Sequence, residues 1–334
     1  MIPLQTGFRH PVTHLLFSPD GSTIAVAQPH SGITLIERAS GRTIAVCARP
    51  RHAGLTGLTF CGDGRFLAAA SAKGIVVFDA STGARVLANA FHLHPRLLAD
   101  RGGVVLGATL TKDAAVRPEL GPSGSGLSER LTRPVFDRKD FEIAALAPDG
   151  ALVVGSEQGE WWLRGVGNSH LAARVERPAT AEPARKSVAK FCPLGRRFAI
   201  NDGHTLDVYD GAELTEGSED DQPTGPPLVQ RANGSQVMVA PMPHVVLAPT
   251  FTLAPEKRVA ESRWHPPFAL AADGRGLLVK RPRNRIQWWD APSGTLVNEW
   301  SWRFEWVTCV AVSADGLTAV AGGRFGRVVV WDLE

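Results

Sequence analysis

A short pattern returns about every 40 residues along this chain, and that period limits the possible folds more than any other feature. Phe17-Ser18-Pro19-Asp20-Gly21 comes back as Phe60-Cys61-Gly62-Asp63-Gly64, as Leu146-Ala147-Pro148-Asp149-Gly150, as Ala271-Ala272-Asp273-Gly274 and as Val312-Ser313-Ala314-Asp315-Gly316. Each copy stands between two short apolar runs, which is the signature of a tight turn joining two strands. An array of like, strand-rich units follows. With 44% hydrophobic residues, 34 Gly and 24 Pro in 334 residues, the chain can bury a large core as one all-β body.

The second unit shows the pattern in full. Leu55–Phe60 reads as an inner strand, Phe66–Ala70 as the next, Ile75–Phe78 as a third and Ala84–Ala90 as the outermost. Strand starts near Val12, Leu55, Arg96, Glu142, Ser187, Leu228, Phe268 and Val307 lie about 39 to 46 residues apart and give eight units. If the unit near Leu228–Phe251 is an insertion, seven remain. Trp289-Asp290 and Trp331-Asp332, with Phe78-Asp79 and Tyr209-Asp210 as aromatic variants, resemble the Trp-Asp dipeptide of WD40 repeats. The resemblance covers nearly the whole chain. It implies an all-β, closed WD40-like β-propeller of four-stranded antiparallel blades, one domain over 1–334. The sequence reaches Trp331-Asp332 one strand short of a complete last blade, so the segment Pro3–Phe8 is expected to supply that strand and remove an open sheet edge.

Many WD40 repeats also carry Gly-His before the inner strand and an Asp in the loop before Trp-Asp, which together form a buried polar network. Here Gly203-His204 falls in a different loop, and Lys73, Arg285 or Gly326 fill the Asp position of the clearest repeats. The expectation is therefore a ring held by apolar packing between blades, with tryptophan filling the space between them.

Chemistry-bearing motifs do not emerge. The sequence has no Gly-x-Gly-x-x-Gly, phosphate loop, His-Glu-x-x-His or Gly-x-Ser-x-Gly. The repeated Asp20, Asp63, Asp149, Asp273 and Asp315 precede turn glycines without companion carboxylates, which favours turn chemistry over calcium. His92 and His94 lie two residues apart in one loop and could ligate a metal with His52 or His10 from nearby loops, but surface histidines are commoner than metal sites and no metal is expected. The four cysteines, Cys47, Cys61, Cys192 and Cys309, form no Cys-x-x-Cys and read as buried free thiols of a reducing compartment. The N-terminus lacks a secretory pattern and no stretch approaches a membrane span, so the expectation is a cytoplasmic, monomeric ring without membrane contact, catalytic residues, cofactor or metal.

Net charge is only +3, yet sorting residues by face separates the signs. Loops before each inner strand and between the second and third strands share the top face of such a ring. They carry Arg9, Arg49, Arg51, Lys73, Arg138, Lys139, Arg185, Lys186, Arg303 and the densest cationic group, Lys280, Arg281, Arg283, Arg285, Arg324 and Arg327. Asp140, Glu157, Glu160, Asp202 and Glu305 are the fewer acids there. The opposite face receives the Asp-Gly turns and an acidic loop over 212–226 with Glu213, Glu216, Glu219, Asp220 and Asp221. A field of this kind steers an acidic partner. The expected function is a non-catalytic scaffold binding an acidic protein or peptide through the Lys280–Arg327 group. The alternatives are nucleic acid on the same face, for which only Phe304, Trp306 and Phe325 offer aromatics, and an enzyme with a site in the central channel. Trp306 also reads as a candidate core residue.

Overall fold

The structure is a computed structural model that describes residues 2–4, 8–29, 31–48, 54–61, 64–71, 74–89, 97–101, 104–108, 116–118, 129–131, 141–149, 151–157, 159–165, 168–177, 187–202, 205–211, 228–230, 236–238, 246–253, 267–301 and 306–333. The Asp-Gly pattern does in three dimensions what the sequence suggests. Asp20, Asp149, Asp273 and Asp315 each accept a hydrogen bond from the backbone N–H two residues on, at 2.8–3.1 Å. The following glycine takes a positive φ, +69° at Gly21, +68° at Gly274 and +73° at Gly316, which a side chain would strain. These carboxylates are turn formers. The Asp after the aromatic repeats the device: Asp79 accepts from the N–H of Ser81 and Thr82, and Asp290 from that of Ser293.

Between such turns, runs of β-branched and small apolar residues extend as strands. After β1 (Ile2–Leu4) come β2 (His14–Phe17), β3 (Thr23–Gln28), β4 (Gly32–Glu37) and β5 (Thr43–Cys47), then β6 (Leu55–Cys61), β7 (Phe66–Ser71), β8 (Gly74–Asp79) and β9 (Arg85–Asn89). The third unit holds β10 (Leu97–Arg101), β11 (Val104–Ala108), β12 (Val116–Pro118) and β13 (Glu129–Leu131) as two separate antiparallel pairs. The fourth holds β14 (Phe141–Leu146), β15 (Leu152–Glu157), β16 (Glu160–Gly165) and β17 (Asn168–Val175); the fifth opens with β18 (Val188–Phe191), β19 (Arg197–Asn201) and β20 (Leu206–Asp210). Next are β21 (Leu228–Gln230), β22 (Gln236–Met238), β23 (Val246–Leu247) and β24 (Phe251–Leu253). The chain ends with β25 (Phe268–Leu270), β26 (Gly276–Arg281), β27 (Arg285–Asp290) and β28 (Thr295–Ser301), then β29 (Val307–Val312), β30 (Thr318–Gly323) and β31 (Val328–Asp332). Among the described residues the one helical element is the short 3-10 turn Pro282–Asn284.

Two findings refine the sequence reading. The stretch from Leu228 to Phe251 does not form a four-stranded sheet of its own. β21 and β22 pair with each other, β23 adds in parallel to β17 of the fourth unit, and β24 becomes the outer strand of the fifth, beside β20. Among the described residues, Phe251–Leu253 is the strand that pairs with β20 on its outer side. At the other end, β1 pairs antiparallel with β31, Ile2 opposite Val330 and Leu4 opposite Val328; the pairing strand is Ile2–Leu4 rather than the expected Pro3–Phe8, and residues 5–7 lie outside the described ones.

Apolar clusters lie between successive sheets. Ala27, Leu35, Leu67 and Phe78 join the first two units; Leu163, Val175, Phe198 and Tyr209 join the fourth and fifth. Val12, Phe17 and Ile24 pack against Ala311, Val320 and Val328, so the first sheet shares a core with the last. Gly322 permits that contact, since a Cβ there would stand 2.7 Å from the side chain of Val12. The innermost strands pack in the order β2, β6, β10, β14, β18, β25 and β29, and β29 packs on β2. Cys47, Cys61 and Cys192 are buried free thiols and Cys309 is partly buried.

Candidate binding face

The densest cationic run is built by a hairpin. β26 and β27 pair until Arg281 stands opposite Arg285, and the two turn residues, Arg283 and Asn284, both take left-handed backbone angles, φ 61° and 57°. Two consecutive left-handed residues suit the right-handed twist of a tight hairpin, but Asn-Gly is the usual choice. An arginine there carries a backbone cost of about 1 kcal/mol. Placing like charges opposite each other across a pair adds to that cost. Arg283 itself is exposed.

The six cations singled out from sequence divide into two groups. Arg285 is partly engaged: its Nη1 lies 3.3 Å from Glu299 Oε2 on β28, and its Nε donates to the Pro282 carbonyl at 3.4 Å. Gln287 Nε2 donates to the same Glu299 carboxylate at 2.5 Å. Arg283, Arg324 and Arg327 are exposed and Arg281 partly so. Lys280 stands over the ring of Trp306, 5.9 Å from its centroid, and burial lowers its pKa. Trp306 in turn accepts the Arg324 backbone N–H at 2.9 Å through its carbonyl. One residue thus ties Lys280 of β26 to the turn between β30 and β31.

Trp306 is 67% exposed and Phe325 68%, so the expectation of a core tryptophan is corrected. Its position explains why: it lies just before β29, in the loop, while the buried positions begin at Val307. Trp331, by contrast, is buried, edge-on to Trp300 at 5.6 Å. Arg49, Arg51, Lys73, Arg138, Lys139, Arg185, Lys186, Arg303, Phe304, the acidic loop over 212–226 and His52, His92 and His94 lie outside the described residues.

No family model and no curated protein match the sequence. Solved structures do. The β-propeller domain of Cps50 (Swd1) from Myceliophteria thermophila is similar at a TM-score of 0.67 and 13% identity, over 98% of this chain and 99% of that one. A chain of the mitotic checkpoint complex is similar at 0.61 and 14% identity, over 96% of this chain and 89% of its own. The fold is a WD40-like β-propeller. The loop before β29 lies beside the β30–β31 turn through the Arg324–Trp306 hydrogen bond, and beside β26 through Lys280 over the Trp306 ring.

Within this propeller the fifth blade departs from the expected apolar packing. Arg177, in the loop before β18, has a side chain only 5% exposed. Its Nη2 donates to Asp202 Oδ2 at 2.9 Å and Asp207 Oδ2 at 3.3 Å, and its guanidinium stands over Trp161 at 5.5 Å. Thr205 and Thr252 donate to the two oxygens of Asp207, and Tyr209 donates its hydroxyl to the Glu176 carbonyl at 2.9 Å. An arginine takes the place of the loop histidine and Asp202 that of the loop aspartate. Sequence reasoning missed it by seeking Gly-His rather than any donor in that loop.

Where the innermost strands converge, Lys190 on β18 donates to the Phe268 carbonyl at 2.8 Å. It is open to solvent yet ringed by protein, and the desolvation lowers its pKa. Burial, then repulsion from Lys190, lowers His14 to about 4. Burial raises the Cys309 thiol to about 12. Among the described residues no cluster of His, Cys, Asp and Glu is suited to a metal ion, and no helix is long and apolar enough to cross a membrane.

Proposed function

We propose that residues 1–334 form one closed, seven-bladed propeller that works as a non-catalytic interaction platform, binding an acidic segment of another protein through its top face. Pairing of β1 with β31, packing of β2 on β29 and the shared first-and-last core support closure. The seven innermost strands, with Leu228–Phe251 as an excursion, support the count. The observation that carries the functional reading is the exposed Trp306, framed by Lys280 and the turn of Arg324, with Arg283, Arg327 and Phe325 exposed beside it. Arginine forks match carboxylates with two parallel hydrogen bonds, and exposed aromatics beside them supply the desolvated centre that interface energetics needs.

Nucleic acid on the same face is the second reading, and the exposed Trp306 and Phe325 favour it more than the sequence suggested, because bases stack on such rings. The channel is a poor place for nucleophilic catalysis: the Cys309 thiol is held protonated and the neutral His14 contacts Thr13, not the cysteine.

The test is affinity capture with the wild-type chain beside an Arg283→Glu/Arg324→Glu variant, followed by identification of everything retained. A protein held by the wild type alone supports the platform. Nucleic acid held by the wild type alone, released steeply by salt, replaces it with the second reading. Equal retention by both chains overturns the top face as a site.

A further inference from the structure

The innermost strands gather polar side chains that neither the apolar packing nor the platform reading uses. Lys190 on β18 lies within electrostatic reach of His14 on β2 and of Cys309 on β29, so strands from distant parts of the chain meet around one ammonium. Phe268 on β25 adds another side: its carbonyl accepts from Nζ at 2.8 Å and its ring centroid lies 5.1 Å away. Among the described residues no carboxylate pairs with this ammonium. An ammonium has three donors, and the Phe268 carbonyl takes one of them. The other two are left to solvent, to which Lys190 is open.

The neighbouring groups do not supply the missing negative charge. Burial holds the Cys309 thiol protonated, and its Sγ donates to the Val12 carbonyl at 3.6 Å. Thr308 shares its hydroxyl proton between the carbonyls of Val12, at 2.6 Å, and Gly322, at 3.0 Å. Thr13 Oγ1 donates to the Ala27 carbonyl at 3.2 Å and therefore accepts from His14 Nδ1 at 3.1 Å. Nε2 is then the His14 nitrogen left to take up a proton. A cation drawn out of bulk water without a counter-charge is costly. An anion beside it recovers Coulomb energy, and more of it where protein surrounds the pair than in open water.

We propose that the space between β2, β18, β25 and β29 is a binding site for a small oxyanion of the size of inorganic phosphate, held by the Lys190 ammonium. The anion accepts the two N–H groups that the Phe268 carbonyl leaves. Its charge offsets the repulsion between Lys190 and His14, so His14 takes up a proton more readily once the anion is bound. Lysine meets a phosphate group as a point charge, which suits a compact anion. The site shares no residue with the exposed arginines of the proposed platform and does not depend on that reading.

The test is calorimetric titration of inorganic phosphate into the full chain, into Lys190→Met and into Arg283→Glu/Arg324→Glu, in a buffer without other multivalent anions. Methionine keeps an apolar stem of similar length without the charge, and losing a desolvated cation that no carboxylate answers should not lower the melting temperature. The proposal expects saturable binding at one site in the wild type and in the arginine variant, weakened at least about tenfold in Lys190→Met. Phosphate should also raise the His14 pKa from about 4, followed by NMR of the imidazole protons, in the wild type. That second measurement decides the matter if Lys190→Met does not fold. Four results overturn the proposal: no saturable binding to the wild type, equal affinity for Lys190→Met, a His14 that does not respond to phosphate, or binding lost in the arginine variant, which marks an adventitious ion only on the exposed loops.

Discussion

Arg177 follows β17 and Arg283 turns the β26–β27 hairpin, and the structure treats the two arginines in opposite ways. Arg177 is buried, doubly paired to Asp202 and Asp207 and stacked on Trp161; Arg283 is exposed on a strained turn. The first has its charge answered inside the blade and can do little but hold the blade together. The second is exposed and holds a left-handed conformation that costs its backbone about 1 kcal/mol. Position in a loop therefore does not make an arginine part of a site. Burial and internal pairing decide it.

The sharpest way to break this contrast is to remove the buried arginine. Arg177→Leu leaves Asp207 buried without its cation, and stability should fall by about 3–5 kcal/mol in denaturant unfolding. Arg324→Glu, on the exposed side, should stay within about 0.5 kcal/mol of wild type. Similar losses in both would erase the distinction.

Next in size is a dependence on pH. The folded pKa of His14 is about 4 against an ordinary 6.5, so the unfolded chain binds its proton first as pH falls. The His14 contribution is fully present above pH 6.5 and is lost as pH drops toward 4, on the order of 2 kcal/mol. Asp20, Asp79, Asp290 and Asp315 have pKa values lowered from 3.8, so their contributions are lost mainly below pH 3.8 and reach only the acid end of that window. His14→Gln should flatten the curve between pH 6.5 and 4; an unchanged slope would mean His14 is not held neutral.

Arg283→Gly reverses the usual sign of a glycine substitution. Relieving the left-handed backbone should raise stability by about 1 kcal/mol, while capture of the top-face partner weakens. The smallest effect belongs to Arg285 and Glu299. A double-mutant cycle with Arg285→Gln and Glu299→Gln should give a coupling of about 0.5 kcal/mol, in keeping with a partly exposed pair.

Much of this was legible because turn chemistry repeats. Asp20, Asp273 and Asp315 announce their turns by a carboxylate and a glycine in fixed order, and local hydrogen bonds then fulfil them. The strand beside β31 could be anticipated from a missing edge partner. What could not be read depends on who packs against whom. β24 joins the fifth blade after a long excursion, and no local signal says that Phe251–Leu253 pairs with β20 rather than opening a new unit. The Arg177 network joins residues 25 and 30 positions apart, with arginine where histidine was sought. Trp306 is exposed and Trp331 buried because Trp306 lies in the loop before β29, whereas Trp331 lies within β31 and packs in the core shared with the neighbouring sheet. The cationic run could be grouped from sequence, but the pairing of Arg285 with Glu299 could not, because Glu299 lies one strand away.

The most direct test measures melting temperature and top-face partner capture together on two chains, Arg177→Leu and Arg283→Glu/Arg324→Glu, the capture done well below either melting point. The account predicts a double dissociation: the first chain melts early and still captures the partner, the second melts with wild type and captures nothing. A charge-reversed chain that keeps its partner would contradict it.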